Sequence, residues 1–79
     1  MRGYSYEFIK RIHALAKKPN APVGVALGLT AIEREIPISR IAAKVGVSRM
    51  AIYDWFTGKY EPTQHNLRKL KACIASKQS

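Results

Sequence analysis

The chain has 79 residues, enough for one domain with a modest core and too few for a second independently folding unit. Hydrophobic residues make up 47% of it, an ordinary globular share, so its charge is not that of a disordered segment. Lysine and arginine number 14 against 5 acids, and the resulting net charge of +9 favours a polyanionic partner, nucleic acid before others.

From Tyr6 to Lys18, Phe8, Ile9, Ile12, Leu15 and Ala16 fall at helical spacing, with Glu7, Lys10, Arg11 and Lys17 on the other side. The run Lys18-Pro19-Asn20-Ala21-Pro22 breaks this pattern, because each proline removes a backbone donor and disfavours helix in the residue before it. Val25, Leu29, Ile32 and Ile36 then step by four, three and four, which predicts a second helix ending near Ile36, ahead of Pro37. Gly24 and Gly28 weaken its first turns, and the alternative is a glycine loop with the helix starting near Leu29.

Pro37 suits the first turn of a third helix, in which Ile41, Ala42 and Val45 face inward. Gly46 interrupts it, Val47 follows, and Ser48 is placed to cap a fourth helix carrying Ile52, Trp55 and Phe56. Gly58 stops that helix. Lys59-Tyr60-Glu61-Pro62 forms a loop to Thr63, which caps a last helix over 63–75 with Leu67, Leu70 and Ile74 inward, before a short polar end, Ser76 to Ser79. The expectation is all-α: a compact five-helix domain over 1–79, with an N-terminal helix and connector over 1–22 and a central helix-turn-helix over 37–58.

The stretch from Ile38 to Lys59 reads I-S-R-I-A-A-K-V-G-V-S-R-M-A-I-Y-D-W-F-T-G-K. Two helices crossing steeply through a turn of a few residues need a small side chain where they approach, a residue tolerant of positive φ, and apolar anchors behind. Ala42, Gly46 and the trio Val47, Ile52 and Trp55 meet those needs. If Ile52, Trp55 and Phe56 point to the core, helical spacing leaves Ser48, Arg49, Met50, Tyr53 and Asp54 outside.

At residues 23 to 74 the sequence resembles the lambda repressor and Cro family of prokaryotic and phage helix-turn-helix regulators. The resemblance lies in Ala42 four residues before Gly46, Ile52 six after it, the V-G-V-S-R-x-A-I-Y-x-W run, the following T-G-K, and Pro62 followed by Asn66-Leu67 and Leu70. It implies that the helix from Ser48 enters the major groove of double-stranded DNA with its early turns toward base edges. Arg49 is then placed to donate two hydrogen bonds to a guanine, and Met50 to pack on a thymine methyl. Asp54 would accept from a cytosine amino group or steady a neighbouring cation, and Tyr53 would meet a base or a phosphate, or remain an exposed filler. Arg40, Lys44, Thr57 and Lys59 are candidate phosphate contacts, joined by the backbone N–H groups near Ile38 and Ser39 at the positive end of their helix dipole.

Other residues carry less. Cys73 is alone, which excludes an intrachain disulfide and a cysteine cluster for zinc, and it reads as a small buried hydrophobe in a reducing compartment. His13 and His65 are far apart, no paired carboxylate or glycine-rich phosphate loop occurs, and neither an enzyme, a cofactor nor a small-molecule substrate is expected. No apolar run approaches the roughly 20 residues that span a bilayer, and the start lacks a secretion signal, so the expected location is cytoplasmic, at the nucleoid. The leading function is an operator-binding repressor acting as two copies on a palindromic site, the dimer contact coming from the last helix, from the first, or only on DNA. An antitoxin-type module that binds a protein and represses its own synthesis is the alternative, favoured by an exposed apolar face on the first helix. RNA binding or nonspecific DNA binding satisfies the charge but not the shaped turn.

Overall fold

Ser5 opens the first helix, α1 (Tyr6–Ala16), by accepting the N–H of Phe8 at 3.1 Å, and Lys17 closes it a residue short of the expected Lys18. The computed structural model describes residues 4–75, so the polar end Ser76 to Ser79 lies outside the described residues. Four further helices follow: α2 (Val23–Glu33), α3 (Ile38–Val45), α4 (Arg49–Phe56) and α5 (Gln64–Ala75). Among the described residues there is no strand.

The longer reading of α2 is the one observed, with both Gly24 and Gly28 inside the helix and buried. Their role reverses the expectation that they merely weaken it. A methyl group on Gly24 would lie 2.2 Å from the carbonyl oxygen of Trp55, and one on Gly28 would lie 2.8 Å from the ring of Phe56. The bare backbone of α2 is the bed on which α4 rests.

The end of α2 departs from the expected Ile36. Glu35 takes the left-handed conformation (φ 56), its N–H donates to the Ile32 carbonyl, and the Ile36 N–H donates to the Ala31 carbonyl, each at 3.0 Å. This pair of hydrogen bonds closes the helix, whose last residue, Glu33, falls three short of Ile36. Ile36 still packs against the core from the loop, which is why its apolar spacing looked helical. Pro37 is likewise outside the next helix: it caps α3 in an extended conformation (ψ 145), and its carbonyl accepts the N–H groups of Arg40 and Ile41.

The helices pack as α1 on α2, α2 on α4 and α5, and α3 on α4 and α5. Ile12, Val25, Ile41, Val45, Ile52, Phe56, Leu70 and Ile74 fill the centre. Leu67 and Cys73, both expected inside, are only half-buried, Cys73 packing at the margin of the core. Full burial of an isoleucine or phenylalanine contributes about 1.5–3 kcal/mol, against about 1 for a serine cap. The three buried side chains of α4, Ile52, Trp55 and Phe56, therefore hold that helix more firmly than its cap does.

Four long-range polar bonds tie distant segments together. Tyr4 donates its hydroxyl proton to the Ile36 carbonyl, Arg34 donates to the carbonyls of Ile74 and Ala75 at the end of α5 (2.9 and 3.1 Å), and Lys69 donates to the Val45 carbonyl at the end of α3 (3.2 Å). Both cations sit where unpaired carbonyls and the helix dipole favour positive charge. Among the described residues no helix is long and apolar enough to cross a membrane, and no three potential metal ligands come together.

Candidate nucleic-acid interface

The bend between α3 and α4 is built from backbone geometry. Gly46 adopts φ 87 and ψ 34, and the Ala42 carbonyl accepts the N–H groups of both Gly46 (2.8 Å) and Val47 (3.1 Å). A methyl on Gly46 would meet nothing within 4 Å, so glycine is required here by the left-handed conformation and not by space. Val47 packs against the core, and Ser48 restarts the chain as a helix by accepting the N–H of Ala51 at 3.1 Å. Only three residues separate α3 from α4, and Lys69 clasps the last carbonyl of α3 from behind.

With Ile52, Trp55 and Phe56 buried, the opposite side of α4 faces outward. Ser48, Arg49, Met50 and Tyr53 are exposed, Met50 at 67% and Tyr53 at 36%, while Asp54 is half-buried. A thioether that open beside an arginine leaves apolar surface available for a partner. The Asp54 backbone is fixed: its carbonyl accepts the N–H groups of Lys59 (2.9 Å) and Tyr60 (3.3 Å), which turns the chain back through Gly58 after α4. Tyr53 is not free on all sides. Its ring meets the ring of Phe8 edge-on, with centroids 5.1 Å apart and planes at 86°.

The residues expected at phosphates are more dispersed. Ser39, Arg40 and Lys44 are exposed on α3, and Lys59 is exposed in the loop beyond α4 with its ammonium 5.7 Å from the centre of the Tyr60 ring. Burial pushes the Cys73 thiol up, opposed by the charges of Lys44 and Arg40. Thr57 spends its hydroxyl proton within the chain, donating to the carbonyls of Tyr53 (2.9 Å) and Asp54 (3.3 Å). A phosphate can only accept, so contact from Thr57 requires breaking those bonds.

Two side chains of this region carried no signal of their own in the sequence. Phe8 reads there as one more member of the apolar stripe of α1, and its contact with Tyr53 spans 45 positions. Tyr60 reads as loop, yet it is 60% exposed beside Lys59. Local spacing reports the face a residue occupies on its own helix, not the neighbour it finds.

A helix pair joined through a left-handed turn at Gly46, anchored from behind and presenting an arginine, a methionine and a tyrosine on the outward side of its second helix, defines a helix-turn-helix protein. A family model described as helix-turn-helix matches residues 28–71, more than half of the chain and including the whole of α3 and α4. Neither a curated protein nor a solved structure gives a match. The chain belongs to the lambda repressor and Cro-like helix-turn-helix family, whose domain binds double-stranded DNA and regulates transcription.

Proposed function

We propose that the protein is a sequence-specific, Cro-like repressor that lays α4 in the major groove of a palindromic operator, two copies of the chain reading its two half-sites. The observation that carries this reading is the division of α4: Ile52, Trp55 and Phe56 are buried, and Arg49, Met50 and Tyr53 are exposed. Arg49, in the first turn of α4, presents a planar fork matched to O6 and N7 of a guanine. Met50 meets a thymine methyl, and Ser48, Tyr53 and Asp54 complete the reading surface. Lys59, Ser39, Arg40 and Lys44 hold phosphates and set register without choosing bases. Thr57 joins them only by giving up the bonds its hydroxyl makes to the Tyr53 and Asp54 carbonyls.

The antitoxin reading asks for an unpartnered apolar face on α1. Ile12 is buried, and Phe8, Ile9, Leu15 and Ala16 pack against the core, so the stripe of that helix is occupied from within. This supports the operator-binding reading over the other.

Selection of bound duplexes from a random pool tests the proposal, and a palindromic consensus is the expected result. Arg49→Ala should then lose base preference at one position of each half-site, worth roughly 1–3 kcal/mol of discrimination. Lys59→Ala should weaken all duplexes alike and reduce the salt slope by about one. A flat selection, or equal losses in both variants on selected and random DNA, would defeat the assignment.

A further inference from the structure

We propose that Phe8 is a positioning residue for Tyr53, so that α1, which lies outside the segment matched by the family, helps to set what the outward face of α4 reads. This rests on the reading of α4 as the helix that enters the groove. Three rings form a continuous ladder from the interior to that face. Tyr4 is 6% exposed, and its hydroxyl is tied to the Ile36 carbonyl, immediately ahead of the proline that caps α3. Phe8 stacks on Tyr4 with centroids 5.9 Å apart and planes at 15°, and Tyr53 meets Phe8 edge-on. The ladder thus joins the entry of the helix-turn-helix to its reading surface through residues of the N-terminal segment.

The physical gain is preorganisation. A tyrosine ring on an exposed helix face loses side-chain freedom when a duplex immobilises it, and this loss subtracts from affinity. Phe8 restricts the ring before any duplex arrives, while a third of Tyr53 stays open for contact. An edge-on aromatic contact of this kind corresponds to a factor of about 2 to 10 in a binding constant.

The test is a double-mutant cycle on the full chain, using a duplex obtained by selection and a random duplex of equal length. Phe8→Leu removes the ring edge but keeps apolar volume at a half-buried site, and Phe8→Tyr keeps the ring. Phe8→Leu is expected to weaken the selected duplex about 2- to 10-fold, leave the random duplex within about twofold, and have no effect in a Tyr53→Ala background. Phe8→Tyr is expected to bind as the unsubstituted chain does. An equal loss from Phe8→Leu with or without Tyr53 would mean that Phe8 only supports the fold, and would overturn the proposal. So would unchanged binding by Phe8→Leu or by Tyr53→Ala. Arg49→Ala separates the two levels: if it loses base preference while Tyr53→Ala does not, groove reading survives and positioning fails, whereas no effect from either defeats both.

Discussion

Gly24→Ala inverts the usual rule for glycine in a helix. At an exposed helical site the substitution stabilises by about 1 kcal/mol, because alanine has the better propensity and restricts the unfolded chain. At Gly24 the added carbon would sit 2.2 Å from the Trp55 carbonyl oxygen, far inside contact distance, and a backbone oxygen cannot rotate away as a side chain does. α2 and α4 must separate, loosening the packing around Phe56 and Ile52. Overpacking of this kind costs about 3 kcal/mol at the upper end of its ordinary range, and subtracting the propensity gain leaves a net loss of about 2. For a chain of this size that lowers the melting temperature by roughly 8–16 °C. Trp55 is the only tryptophan and lies at the contact, so its fluorescence during heating reports the event directly. Ala26→Gly, at an exposed position of the same helix, supplies the control, with a loss of about 1 kcal/mol from propensity alone. A Gly24→Ala chain melting at or above the temperature of the unsubstituted chain would refute the close approach of α2 and α4.

Arg34→Met removes the two bonds to the Ile74 and Ala75 carbonyls along with a cation at the negative end of α5, which should cost about 0.3–1 kcal/mol. Amide exchange in the last turn of α5 should quicken with it, and unchanged protection there would count against the cap. Tyr4→Phe leaves the Ile36 carbonyl without its partner and should destabilise by roughly 1–3 kcal/mol. Burial raises the Tyr4 pKa above the ordinary tyrosine value, so the folded chain holds that proton more tightly than the unfolded one. Its contribution is complete below about pH 10 and is lost as pH climbs beyond that value. Denaturant midpoints followed upward from pH 9 should therefore fall more steeply in the unsubstituted chain than in Tyr4→Phe; parallel curves would remove Tyr4 from the account.

The parts of the fold that follow from local chemistry were legible in the sequence. Ser48 and Thr63 cap where hydroxyl-bearing residues precede apolar stripes, and Gly46 bends where a left-handed residue is needed. What escaped depends on meetings between distant segments. Gly24 and Gly28 look like flaws in a helix until α4 is laid on them, because a missing side chain carries no sign of what fills its place. Glu35 ends α2 in a conformation for which its residue type gives little warning, and the apolar Ile36 beyond it extends the apparent stripe. The outward placement of Ser48, Arg49, Met50 and Tyr53 followed from the inward residues by periodicity, with Asp54 half-buried instead, whereas the link from Tyr53 to Phe8 required the packing of α1.

The same distinction governs the positive charge. A net charge of +9 points to a polyanion, yet composition cannot say which cations face it. Arg34 and Lys69 are committed to helix ends, where each donates to carbonyls of the last turn. Lys69 does this at Val45, one residue before the bend at Gly46, so a charge that sequence counting assigns to the partner instead fixes the junction of α3 and α4. Arg49 and Lys59 lie at opposite ends of α4, at its first turn and just past its last, both exposed. The excess charge of the chain thus includes cations that hold helix ends, Lys69 at the turn among them, and cations that the turn presents.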